Sequence, residues 1–191
     1  MDALTHAIEA YIGKSTVKSS RKDALDAARL ISENLYKSYK NGDDITARQN
    51  MLKASFLAGR AFSKSYVGYC HAIAHSLGGE YSIPHGLANA VLIPITIESY
   101  GESAYKKCKD IAIAMGLADK NTHKKDATRA LIDKIKDMNQ LMGIPQKLKG
   151  IKKEDIPRLA AYADKEANPL YPVPKLMDSA ELEKIYYEVT E

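Results

Sequence analysis

Three of the five histidines in this chain, His71, His75 and His85, fall within one short stretch, HAIAHSLGGEYSIPH. Neutral imidazole is a common ligand for divalent first-row metals, so their proximity raises the question of a metal site. Residues four apart on a helix share one face, which sets His71 and His75 one turn from each other on the same side. Gly78-Gly79 is expected to stop that helix. Pro84-His85-Gly86 can then bring a third imidazole back on a loop or a helix start. Asp2 and His6 repeat the four-residue spacing and add one carboxylate and one imidazole on a common face. Imidazoles with one carboxylate suit Fe²⁺ or Zn²⁺, and an ion with open coordination positions acts as a Lewis acid on a substrate oxygen. Each pair alone also has an ordinary explanation, since histidine pairs and carboxylate–imidazole pairs at helical spacing are common structural or surface features. The third histidine beyond the glycine turn is what strengthens the metal reading.

Neighbouring candidates carry less. His123 lies in the polar run NTHKKD and reads as a solvated helix start. Cys70 adjoins His71, but successive helical residues point about 100° apart, so it belongs to the core. The stripe Leu87, Val91, Leu92, Ile95 is likewise core. Tyr66 and Tyr81 flank the histidine segment and can either line a pocket or fill the interior.

The elements that must position these residues are helical nearly throughout. Asp2–Tyr11 is amphipathic and Gly13 ends it. Ser20 or Asp23 can cap the next helix, and Asn41-Gly42 makes a turn. Asp44 opens a long helix whose small residues, Ala54, Ala58, Gly59 and Ala61, allow close approach of a neighbour. Cys70–Leu77 follows, then a loop over 81–86. A mostly apolar helix then runs from Leu87 to about Tyr100, interrupted or kinked at Pro94. Further helices are expected at about 103–115, 124–142, 155–165 and 179–189, with Asp155 and Ser179 as caps. The run NPLYPVP (168–174) cannot be regular helix. No strand or repeat stands out. The reading is one all-α domain over residues 1–191 with six to nine helices, whose last three could form a semi-separate lobe.

Composition narrows the classes. The chain has 191 residues, enough for one full-sized domain. Its net charge of +4, from 28 basic and 24 acidic residues, is small and scattered, and even the Lys147–Lys153 cluster reads as a solvated loop, so no nucleic-acid partner is expected. Two distant cysteines point to no disulfide framework, making a reducing cytoplasm the default location. There is no signal peptide pattern and no apolar run long enough for a membrane span.

Three segments, MDALTHAIEAY (1–11), HAIAHSLGGEYSIPHGLANAVLIP (71–94) and, in support, ANPLYPVP (167–174), give a resemblance that extends over essentially the whole chain. Together they resemble the C-terminal, metal-binding helical domain of the iron-containing, or group III, alcohol dehydrogenases, of the dehydroquinate synthase-like type. The resemblance implies Asp2, His6, His71 and His85 as ligands of a catalytic Fe²⁺, with Zn²⁺ as the alternative. It implies for His75 a place near nicotinamide and substrate, with a proton-relay or orienting role. It further implies NAD or NADP as cofactor, a small alcohol or aldehyde as substrate, a homo-oligomer, and an N-terminal Rossmann-like dinucleotide-binding domain as partner. No glycine-rich dinucleotide loop occurs here. The chain is therefore expected to be a fragment of a longer two-domain oxidoreductase, inactive alone, weakened in metal binding at Asp2 and prone to self-association.

Three other readings stay open at this point. A zinc-dependent glycerol dehydrogenase-like enzyme shares the architecture. A helical metal-dependent hydrolase would need a second metal, and no adjacent His-Asp pair is present. A non-catalytic helical module would leave the histidines incidental.

Overall fold

The computed structural model describes residues 1–191 as nine α-helices with no sheet. They are α1 (Asp2–Ile12), α2 (Lys18–Lys40), α3 (Ile45–Ser65), α4 (Tyr69–Tyr81), α5 (His85–Tyr100), α6 (Glu102–Ala114), α7 (Lys124–Leu141), α8 (Ile156–Ala167) and α9 (Ser179–Val189). The all-α expectation holds. The one β feature is an isolated bridge between Leu148 and Thr190. No helix is long and apolar enough to cross a membrane.

Helices α1, α2 and α3 pack on one another, α6 packs on α7, and α8 lies against α4 and α9. Helix α5 runs through the middle and touches α1, α4, α7 and α9. It is buried from Ala88 to Ile97, as an all-round apolar helix must be. One continuous core of 51 buried residues includes Ile135 of α7, Leu159 of α8 and Ile185 of α9. The last three helices therefore share the main core and do not form a lobe.

Pro94 sits inside α5 and has no N–H to give the Ala90 carbonyl. Asn139 of α7 supplies the substitute, its Nδ2 donating to that carbonyl at 2.6 Å. The proline thus sits inside one continuous helix, its missing bond replaced by a side chain from α7.

Several local expectations are corrected. Helix α4 continues through Gly78 and Gly79 and stops only at Ser82, which is left-handed, just before Pro84. Contacts to α8 and the turn before it offset the two glycines: Glu80 pairs with Arg158, and the Tyr81 hydroxyl donates to Asp155 at 2.5 Å. The loop shrinks to 82–84 and His85 becomes the first residue of α5. Helix α2 begins at Lys18 with Val17 at its N-cap and no side-chain cap, so Ser20 and Asp23 both lie inside the helix, where Asp23 pairs with Arg60. Asp155 precedes α8 but its carboxylate serves Tyr81 and Arg158, not the helix end. Asp178, not Ser179, caps α9, in a capping box with Glu181. Gly13 does end α1 as its C-cap, though with an ordinary negative φ of −57°. Gly59 faces open space, so Ala54, Ala58 and Ala61 alone make the close helix contacts. Asp44 does cap α3, accepting from the Ala47 N–H.

Tyr66, which ends α3, has φ 62° and ψ −175°, a region that suits glycine. Its side chain is 58% exposed, so little packing holds it there. Tyr66→Gly is expected to stabilise the chain by about 1 kcal/mol, after allowing for the extra freedom glycine has when unfolded. Thermal unfolding checks this, as an upward shift of about 2–4 °C. An equal or lower midpoint would mean that the tyrosine contributes more than its backbone costs.

Candidate metal centre

Helices α1, α4 and α5 bring the sequence candidates together. Asp2, His6 and Glu9 follow the four-then-three spacing on one side of α1. His71 and His75 lie one turn apart on α4, and His85 and Asn89 one turn apart at the start of α5. One donor atom from each of Asp2, His6 and His71 lies within 4.8 Å of the other two. The His6 and His71 rings are 4.2 Å apart between centroids, and Phe62 of α3 stacks on His6 at 4.2 Å.

His85 borders this group. Its Nε2 is 3.5 Å from Asp2 Oδ1, and its ring is 5.3 Å from that of His71. The fully buried Asn89 links them, its Nδ2 donating to Asp2 Oδ1 at 2.7 Å while lying 3.1 Å from His85 Nε2. His75 stacks beside His85 at 5.3 Å but is turned to another partner, with its Nδ1 2.7 Å from Glu166 Oε1. The same carboxylate oxygen accepts from the Tyr171 hydroxyl at 2.7 Å.

His71 is almost fully buried. Its Nδ1 is 2.5 Å from Glu9 Oε2, and Glu9 Oε1 accepts the Cys70 backbone N–H at 2.9 Å. His71 Nε2 is buried with no hydrogen-bond partner in the protein. A buried ring nitrogen of this kind costs free energy unless something accepts its lone pair or donates to it. The donors of Asp2, His6 and His71 could hold a divalent cation, and His85, outside that convergent group, borders it through Asp2.

Electrostatics favours the same use. Burial, then the neighbouring His71, brings the His6 imidazole down to about 4, so at neutral pH it offers a free lone pair. Burial would raise the Asp2 carboxyl, but the Asn89 bond and the surrounding imidazoles outweigh it and hold the group below its ordinary value. Burial lowers His85 also. His75 goes the other way, because the hydrogen bond to Glu166 raises it against the effect of burial.

Sequence reasoning missed four supporting residues. Glu9 looked like any helical carboxylate, though it lies three residues from His6 on the same helix. Asn89 is a lone amide in an apolar run one turn after His85, and that is the signal the sequence offers for it. Glu166 and Tyr171 gave no signal, since only the fold brings them to His75. Tyr66 and Tyr81 take no part in the donor group, and His123 stands at the start of α7 as expected, where its side chain also caps the helix. A cavity of about 460 Å³ beside Val91, Ile95, Asn139 and Lys147 contains none of the histidines.

The first, fourth and fifth helices converge on one carboxylate and several imidazoles, and comparison with known proteins gives the class of this helical domain. Residues 1–190 match the C-terminal domain of the Fe-containing alcohol dehydrogenase family, and the chain belongs to that family. It is 43% identical over 170 residues to the 1,3-propanediol dehydrogenase of Citrobacter freundii, a match covering 88% of this chain and 44% of that protein. With alcohol dehydrogenase 4 of Saccharomyces cerevisiae it shares 39% identity over 171 residues, 87% of this chain and 43% of that one. A crystal structure of 1,3-propanediol oxidoreductase superposes with a TM-score of 0.93 at 39% identity, over 99% of this chain and 50% of the other. The chain thus spans about half the length of the relatives it matches.

Proposed function

We propose that this chain is the metal-binding half of an NAD(P)-dependent alcohol dehydrogenase or aldehyde reductase, with Asp2, His6, His71 and His85 holding one divalent ion. Iron is the metal the family name indicates, and zinc has the same donor preferences for this set. The observation that carries the reading is the buried, unpartnered His71 Nε2 among the convergent donors of Asp2 and His6. When bound, the ion supplies Lewis acidity toward an alcohol or carbonyl oxygen. A nicotinamide cofactor supplies and accepts the hydride, and the half of the protein that binds it corresponds to the part of the relatives this chain does not match.

The chain's own residues then have separable tasks. Asn89 fixes the Asp2 carboxylate through Oδ1 and leaves Oδ2 facing His6 Nδ1 at 3.6 Å. Phe62 covers the His6 ring and limits its rotation. His75 is committed to Glu166 at Nδ1, so it can exchange a proton only at Nε2. Its raised proton affinity suits a group that gives a proton to a forming alcohol or takes the hydroxyl proton of an alcohol being oxidised to the carbonyl. Without a bound nicotinamide these groups cannot complete a turnover, and the chain alone is expected to be inactive.

The structure has one cluster of three or more candidate metal donors, which favours one ion over the two a binuclear hydrolase needs. Elemental analysis after anaerobic loading with Fe²⁺, and separately with Zn²⁺, tests the proposal. One metal per chain is expected, and His71→Ala and His85→Ala are expected to lose it. Two metals per chain, or one that survives both substitutions, would overturn the assignment.

A further inference from the structure

We infer that Glu9 is a positioning residue that fixes the tautomer of His71, holding its proton on Nδ1 so that Nε2 faces the donor cluster as a bare lone pair. The side chain of Glu9 is 1% exposed and, as a carboxylate, can only accept from the two groups it lies between. One is the Cys70 backbone N–H, which cannot give up its proton, at 2.9 Å from Oε1. The other is His71 Nδ1, at 2.5 Å from Oε2. A carboxylate has an acceptor at each end and satisfies both donors at once. With Nδ1 protonated, the neutral ring must carry its lone pair on Nε2, the atom left without a partner.

The surroundings are built around this carboxylate. A Cβ at Gly68 would come within 2.7 Å of Glu9 Oε1, 3.2 Å of Cδ and 3.1 Å of the Tyr100 hydroxyl. Gly68 has φ −138°, open to any residue, so glycine is required there for space and not for conformation. Both Glu9 and Gly68 sit next in space to groups the fold buries completely, Cys70 and Tyr100 among them.

Glu9→Gln is the discriminating change, because it keeps the shape and removes one acceptor. The amide has one oxygen and one NH₂. Its oxygen must face the Cys70 N–H, leaving the NH₂ against His71 Nδ1. That nitrogen then becomes an acceptor, and the proton moves to Nε2, where it blocks ligation. The consequence for metal rests on the proposed metal site; the tautomer itself does not.

The experiment uses ¹⁵N-labelled 191-residue chain, metal-free, at a pH where its imidazoles are neutral. Long-range ¹H–¹⁵N spectra distinguish protonated from bare ring nitrogens. The wild-type chain is expected to show a protonated His71 Nδ1 and a bare Nε2, with the reverse in Glu9→Gln. Zn²⁺ affinity, measured by competition with a chelator, is expected to fall about 10- to 100-fold in the variant. A purely structural role would lower thermal stability without moving the tautomer. A bare Nδ1 in the wild-type chain would overturn the inference even if the variant did not fold. So would a folded variant that keeps the wild-type tautomer, or a switch that leaves Zn²⁺ affinity unchanged. The expected tautomers with no Zn²⁺ bound by either chain would support the inference and overturn the metal reading instead.

Discussion

Gly68→Ala is expected to destabilise the chain by about 3 kcal/mol, the sum of overpacking and of displacing a satisfied buried carboxylate. The added methyl would lie 2.7 Å from Glu9 Oε1. A flexible surface glutamate would simply swing aside. Glu9 cannot, because it is buried and held at both oxygens, by Cys70 and His71. Retreat from position 68 therefore unpairs a buried backbone N–H or a buried imidazole. For a chain of this length the loss corresponds to a fall of about 6–12 °C in thermal midpoint. A shift under about 2 °C would show that the Glu9 pocket yields at little cost, and would weaken the case for its role in orienting His71.

Tyr69→Phe is the second large effect. The Tyr69 hydroxyl is buried in the interior, donates to Asn168 Oδ1 at 2.7 Å and accepts the Met177 backbone N–H at 2.9 Å. Phenylalanine fills the same space but leaves that N–H with no partner and no access to water, since Met177 is buried too. The expected cost is about 2–3 kcal/mol, read in denaturant unfolding. A second consequence is local. The two bonds anchor both ends of the segment 168–177, which carries Tyr171, and Tyr171 helps hold Glu166 against His75. Limited proteolysis is expected to cut this segment faster in the variant than in the wild-type chain. Cleavage at an unchanged rate with unchanged stability would mean the hydroxyl is dispensable.

Much of this architecture is legible in the sequence, for reasons that differ from residue to residue. Helix α5 could be read because its apolar residues surround the helix, and α3 because Asp44 is followed by helical periodicity. Asp2, His6, His71 and His85 stand out because a third histidine follows a spaced pair beyond a glycine turn, and the family resemblance points to the same residues. What failed to show was tertiary in origin. The glycines at 78 and 79 carry a local signal to stop, and only Arg158 and Asp155, far along the chain, override it. Ser179 and Asp178 are both good caps, and the Glu181 partner decides between them. Ser179 instead donates to Asp164. Glu9 and Glu166 resemble ordinary surface carboxylates in sequence, and their roles come from what the fold places beside each oxygen.

The amide that replaces the missing N–H of Pro94 has a consequence for how α5 comes apart. An ordinary helix carries its own ladder and can separate from its neighbours intact. In α5 the ladder is completed at the Ala90 carbonyl by Asn139, which belongs to α7. Separation of the two helices therefore also breaks α5 at its midpoint, between the half that bears His85 and Asn89 and the half that bears Tyr100. Docking and helical continuity become one cooperative event, and the central part of α5 opens with α7 or not at all.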